Sequence, residues 1–398
     1  MNRIPDLDAP RRMRRREGGI RFSLLLPILC LLPLAAQTGA VANPQFDELV
    51  RRADQARDAD RGPEAEALYR QALALRPTWA EGWWSLGTLL YDRDSYQPAA
   101  EAFQRAVALN PRAPEPAAML GLCQAALGDD KAALSSLEHA RELGAARVTA
   151  LRRVVLFTLG SLYLANGRFG QAQAALDVLA RESPAGAADS ADEERLTLAL
   201  GQSVLGLLPG DPAAADPATR ALILRAGLAE RLAARSEIAA AQRAYVQLAA
   251  DAPSLHNVQF ALGRFLADNH EDEAAVAAFR KELDHSPRHL LARLGIAGVL
   301  VATDAAAALP YAEQAVEMSP TLGEAHYLLG LALLGTGETQ RALEELQLAD
   351  HLDPRSSKTC FALARAFAAL DRKADAERAR NRFVELTEIE EARQRQER

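Results

Sequence analysis

A short pattern of small and apolar residues returns about every 34 positions along this chain, and that recurrence limits the fold more than any other feature. From Ala80 it reads Trp83, Leu86, Gly87, Leu90, Ala99, Phe103, Ala106 and Pro111. The register returns as Leu159, Gly160, Ala172 and Leu176, as Leu262, Gly263, Ala275, Phe279 and Pro287, and as Leu329, Gly330, Ala342, Leu346 and Pro354. A period of this length is one helical hairpin that cannot bury its apolar face alone, so successive copies stack and the core grows lengthwise. A chain of 398 residues therefore need not divide into several globular cores. Residues are 49% hydrophobic but only 5% aromatic, with alanine prominent, as helices need when their backbones approach through small side chains. The closing prolines end each second helix, since proline lacks the N–H and clashes with the preceding turn.

In residue type and spacing the pattern resembles the tetratricopeptide repeat. The resemblance implies an all-α fold, a right-handed α-solenoid of about nine helix hairpins. Four units are expected over 43–184 and five over 222–386, followed by a charged helix end at 387–398. The phase is lost over 185–221, where Pro209, Gly210, Pro212 and Pro217 oppose a second helix, so this stretch reads as a degenerate unit and hinge.

The resemblance further implies a concave groove lined by the first helix of each unit, with the fifth and ninth residues of that helix pointing into it. The fifth positions are Val50, Trp84, Ala118, Phe157, Ala226, Phe260, Leu294, Tyr327 and Phe361. Aromatic anchors there suit capture of an extended or helical apolar segment, or they pack on the neighbouring unit. The ninth positions, among them Thr88, Ser161, Glu230, Arg264 and Arg365, are mixed. The expected partner-binding residues are Trp84, Phe157, Phe260, Tyr327, Phe361, Thr88, Arg264 and Arg365. No unit has the lysine and asparagine pair with which some family members clamp a C-terminal carboxylate.

The first 42 residues stand apart from the repeats. Arg3, Arg11, Arg12, Arg14, Arg15, Arg16 and Arg21 precede an apolar run from Phe22 to Ala36, and Ala40-Val41-Ala42 follows as a signal-peptidase pattern. The run holds Pro27 and Pro33 and is short for a bilayer-spanning helix. Export to the periplasm or exterior is the expectation, with an uncleaved anchor as the alternative. Removing this segment's seven arginines and three acids leaves 39 basic against 50 acidic residues, a net charge of −11. Such a surface repels phosphate backbones and argues against nucleic acid as a partner. Cys123 and Cys360 fall in distant units and are expected as buried, unpaired thiols.

The sequence has no Gly-rich phosphate loop, no HExxH, no CxxC and no Gly-x-Ser-x-Gly elbow. His285 and His289 have the spacing of a zinc pair, but Pro287 between them spoils a shared helical face. The expectation is a non-catalytic scaffold without cofactor or metal that holds a protein or peptide. The alternative is a structural, self-assembling component of an envelope complex.

Overall fold

A computed structural model of the protein describes residues 43–182, 191–210 and 216–397. Among the described residues there are nineteen α-helices and no strand. The expected leader at 1–42 lies outside them, as do parts of the 185–221 stretch. The chain forms two compact units, Met1–Val155 and Leu156–Arg398.

The first unit holds α1 (Pro44–Asp58), α2 (Gly62–Leu75), α3 (Ala80–Asp92), α4 (Tyr96–Leu109), α5 (Pro114–Leu127) and α6 (Asp130–Glu142). The division falls within α7 (Thr149–Ala165). The second unit continues with α8 (Phe169–Glu182), α9 (Ala191–Leu205), α10 (Pro217–Ala234), α11 (Ile238–Asp251), α12 (Val258–Asp268) and α13 (Asp272–His285). It ends with α14 (Leu290–Leu300), α15 (Ala305–Met318), α16 (Gly323–Thr336), α17 (Thr339–Leu352), α18 (Ser357–Ala369) and α19 (Lys373–Glu397). The result is an all-α solenoid of stacked hairpins within each unit.

One steric rule explains the recurring residue types. A Cβ placed on Gly87 would lie 2.7 Å from Phe103, one on Gly121 2.6 Å from Leu137, and one on Gly160 2.6 Å from Leu176. The same holds for Gly263 against Phe279 and Gly330 against Leu346, both at 2.6 Å. In every case a small residue on the first helix receives a large one sixteen positions later on the second. The hairpin closes around that contact, and the receiving rings and leucines are fully or nearly fully buried. Ala53 and Tyr69, and Ala229 and Tyr245, occupy the same register and are buried too.

The turns inside the hairpins repeat as faithfully. Eight of the nine reverse through one left-handed residue: Asp60, Asp94, Gly128, Gly167, Ser236, His270, Gly337 and Asp371. The following N–H reaches five residues back, as in Ser95 to the Leu90 carbonyl (2.9 Å) and Glu338 to that of Leu333 (2.8 Å), which satisfies a helix-end acceptor. The α14–α15 turn is a residue shorter and uses Asp304 N–H to Leu300 O (2.7 Å) instead.

The described part of the 185–221 stretch is chiefly α9, which packs against α10. Among the described residues no second helix follows α9 before α10, and α9 itself is closely packed. A Cβ on Gly201 would sit 1.9 Å from the Ile223 carbonyl oxygen, and one on Gly227 1.8 Å from that of Thr197. Helices α9 and α10 therefore run antiparallel with their backbones in contact, a separation only glycine permits. Arg231 on α10 donates to Glu193 (2.9 Å) and to the Thr197 hydroxyl (2.8 Å), and both charged side chains are buried, at 6% and 5% exposure. Residues 199–205 are buried along their whole length. Helix α9 ends on Gly206 with the same left-handed turn as a first helix, Leu207 N–H reaching the Gln202 carbonyl (2.9 Å). It ends as the first helices of the hairpins do, and α10 packs directly against it.

Candidate partner-binding cleft

The expected groove residues fall in both compact units. In the first, Trp84 is half-buried on α3 with its ring 5.5 Å from that of Phe103. The Thr88 hydroxyl donates to the Trp84 carbonyl (2.9 Å) and is thus turned onto its own helix.

In the second unit Phe157 is half-buried on α7, its carbonyl accepting from Ser161 (2.9 Å). Tyr327 on α16 lies under the Lys358 ammonium, 4.9 Å from the ring centre, and Lys358 also pairs with Glu324. Phe361 on α18 is 50% exposed, its ring 5.5 Å from Phe383. Arg365, exposed one turn further on, lines a cleft of about 460 Å³ with Thr303, Leu331 and Gly335.

Phe260 and Arg264 are brought together. They share a second open cleft of about 450 Å³ with Phe279, Leu291, Gly298 and Val299, and Asp272 stands on its rim. The position of Phe260 follows from a buried network at the start of α12. Glu282, 1% exposed, accepts the Asn257 and Phe260 N–H groups at 3.1 and 3.2 Å and so caps the positive end of the helix. Asn257, in the left-handed region at φ 65°, donates through its amide to the Leu205 carbonyl (2.8 Å), tying α12 to the end of α9.

His289 Nδ1 accepts the Ala292 N–H (3.0 Å), so its proton sits on Nε2 and is donated to Asn257 Oδ1 (2.5 Å). Burial lowers its pKa, in keeping with this neutral form. Neither nitrogen is left for a metal. The Phe260 ring is held 5.0 Å from the His289 ring and 5.8 Å from Phe279.

The other wall is charged. Arg264 Nη2 donates to Glu230 Oε2 (2.8 Å), and Glu230 also accepts from Gln173 (2.5 Å) and from the Tyr245 hydroxyl. Asp177 lies beside this cluster with its Oδ1 buried and without a hydrogen-bond partner. Burial, and then the Glu230 charge, push its pKa up to about 7 against the pull of Arg264 and Arg181. Burial likewise raises Asp268, at the end of α12. Arg264 is therefore committed to carboxylates of its own chain.

Sequence reasoning picked out Phe260 and Arg264 through the fifth and ninth positions but passed over Leu291, Val299 and Gly298. The last of these is itself a ninth position. A Cβ on Gly298 would meet nothing within 4 Å, so this glycine leaves open space where Gly263 and Gly295 face the Phe279 ring.

Residues 50–114, 86–147 and 299–357 match a sequence model of the tetratricopeptide repeat. These regions, 50–147 and 299–357, carry tetratricopeptide repeats, a class of repeat associated with protein–protein interaction. Among solved structures the chain is similar to a double mutant described as MamA RS-1 ArsTM, at 26% identity over 43% of this chain and 97% of that one, with a TM-score of 0.40. MamA 41-end from Desulfovibrio magneticus RS-1 shares 28% identity over 43% and 96% of the two chains, TM-score 0.38. YrrB, described as a TPR protein with an unusual peptide-binding site, shares 20% over 44% and 93%, TM-score 0.37. No curated protein matches the chain.

Proposed function

We propose that the protein is an exported, non-catalytic scaffold that holds a peptide or protein partner against the first helices of its repeats. The observation that carries this reading is the cleft of about 450 Å³ walled by Phe260, Phe279, Leu291 and Val299 on rigidly packed helices. Apolar concavities with a few placed polar groups are where ligands bind, and aromatic side chains on preformed surfaces supply most binding energy. Export is supported by the arginine-rich start, the apolar run from Phe22 to Ala36 and the Ala40-Val41-Ala42 pattern. Among the described residues no helix is long and apolar enough to cross a membrane.

The test is cross-linking capture from the source cells with the wild type and with Phe260, Tyr327 and Phe361 all replaced by Ala. Partners held by the wild type should be lost in the variant while its circular dichroism keeps its helix content. Retention of the same partners overturns the groove reading.

The second reading, a self-assembling envelope component, is favoured by the exposure of Phe361, Val384 and Ile389 on the last hairpin. Sedimentation of the wild type distinguishes the two, since a strict monomer removes this alternative.

A further inference from the structure

The Phe260 cleft has a chemical bias that the groove reading alone does not supply. Its floor is apolar: the Phe260 and Phe279 rings, Leu291, Val299 and the open space over Gly298. Its charged surroundings are lopsided. The guanidinium of Arg264 is bound to Glu230 and lies in the field of Asp177 and Asp268. Asp268 and Asp272 are exposed, and Asp272 stands on the rim. Glu230 is paired with Arg264, and Asp177 is buried with its pKa pushed up to about 7, so the acids left uncompensated near the cleft are the exposed Asp268, one turn beyond Arg264, and Asp272. An acidic segment brought here would be repelled and a neutral one would gain nothing from the rim, whereas a cation beside an apolar anchor meets complementary charge.

We propose that this cleft takes one large aliphatic or aromatic side chain of a partner peptide whose neighbouring residues are lysine or arginine. The proposal rests on the groove reading above and adds to it the chemistry of the occupant. The apolar side chain enters between Phe260 and Leu291 and covers the bare backbone at Gly298, while the flanking cations sit over Asp268 and Asp272. The polar network behind Phe260, from Glu282 through Asn257 to His289, holds the wall in place without facing the ligand.

Fluorescence anisotropy on the full chain lacking residues 1–42 tests this with three labelled peptides in a Gly/Ser background. One carries Leu between two Lys pairs, one Leu between two Glu pairs, and one Ala between two Lys pairs. The Leu–Lys peptide should bind roughly tenfold tighter than the Leu–Glu peptide in low salt, with the margin shrinking at high salt. It should bind about tenfold tighter than the Ala peptide, the effect of burying one aliphatic side chain.

Gly298→Leu fills the cleft where no atom is met and removes a helix-interior glycine, so it should abolish binding without lowering the thermal midpoint. The Asp268→Asn, Asp272→Asn double variant should bring the Leu–Lys and Leu–Glu affinities together.

Equal affinity for the Lys- and Glu-flanked peptides, or full binding by Gly298→Leu, overturns the proposal. Failure of every peptide to bind, or to compete with partners that the wild type does capture, overturns it too while leaving the groove reading standing. Loss of partner capture altogether is the separate failure of that reading.

Discussion

Asp177 shows how one side chain can set a stability profile. In the unfolded chain it titrates as an ordinary aspartate near pH 4, but in the fold its pKa is pushed up to about 7 by burial and by Glu230. Below pH 4 both states hold the proton and its contribution vanishes. As pH rises from 4 to 7 the unfolded state releases the proton while the folded state retains it, so stability falls, and above 7 the loss levels off. Asp177→Asn should therefore raise the thermal midpoint at pH 8, by of the order of 2 kcal/mol in stability, and change it little at pH 4.5. Thermal melts at the two pH values check this, and an equal effect at both would show that Asp177 titrates normally. Neither thiol joins in this titration, since burial pushes Cys123 up to about 12 and raises Cys360 as well. Cys123 and Cys360 are each buried and unpaired, as expected from their separation.

Helix pairs divide into two kinds, and glycine substitutions tell them apart. In the hairpins glycine faces a side chain, as Gly263 faces Phe279 at 2.6 Å, and that neighbour can shift a little. Gly263→Leu should cost about 1–3 kcal/mol by overpacking. Between α9 and α10 glycine faces backbone, as Gly227 faces the Thr197 carbonyl at 1.8 Å, and nothing short of helix separation makes room. Gly227→Ala, a far smaller change, should cost more than Gly263→Leu, because separating the helices also breaks the buried Arg231–Glu193 pair, whose disruption is worth about 3–5 kcal/mol. Urea unfolding of the two variants decides the order, and the reverse ranking would refute the close crossing.

The hairpins were legible in sequence because the small and large partners recur at one fixed interval. At α9 the acids of the first turn and Leu200-Gly201 mark a helix, but no local pattern shows that Glu193, Thr197, Gln202 and Ser203 are buried. The Arg231 that satisfies two of them lies more than thirty residues away, on a helix whose own phase assigns it to another unit. The cleft was half legible for a similar reason. A groove position names Phe260, but no local pattern reveals that Arg264 is already held by Glu230 or that Gly298 faces empty space.

For the molecule as a whole, the proposed export signal bears on charge. Residues 43–398 carry a net charge of −11, part of which the seven arginines before residue 22 offset in the full chain. We expect the chain recovered from its source to begin at Asn43, one residue before α1, with Asn43 capping that helix through its side-chain oxygen at 3.2 Å from the Gln45 and Phe46 N–H groups. Intact-mass measurement checks the start, and a mass that includes residues 1–42 would instead favour the anchor.

The left-handed turns leave a mark on how such a chain can change in length. Asp60 and Asp94 occupy equivalent points 34 residues apart, with the same φ to within a few degrees and the same onward hydrogen bond. An excision of the stretch between them joins two ends that already fit, and Ala53, losing Tyr69 with the excised stretch, meets Phe103 at the same sixteen-residue interval. Loss of a whole unit at these points therefore asks the gene for one recombination event and the protein for no compensating substitution inside a hairpin.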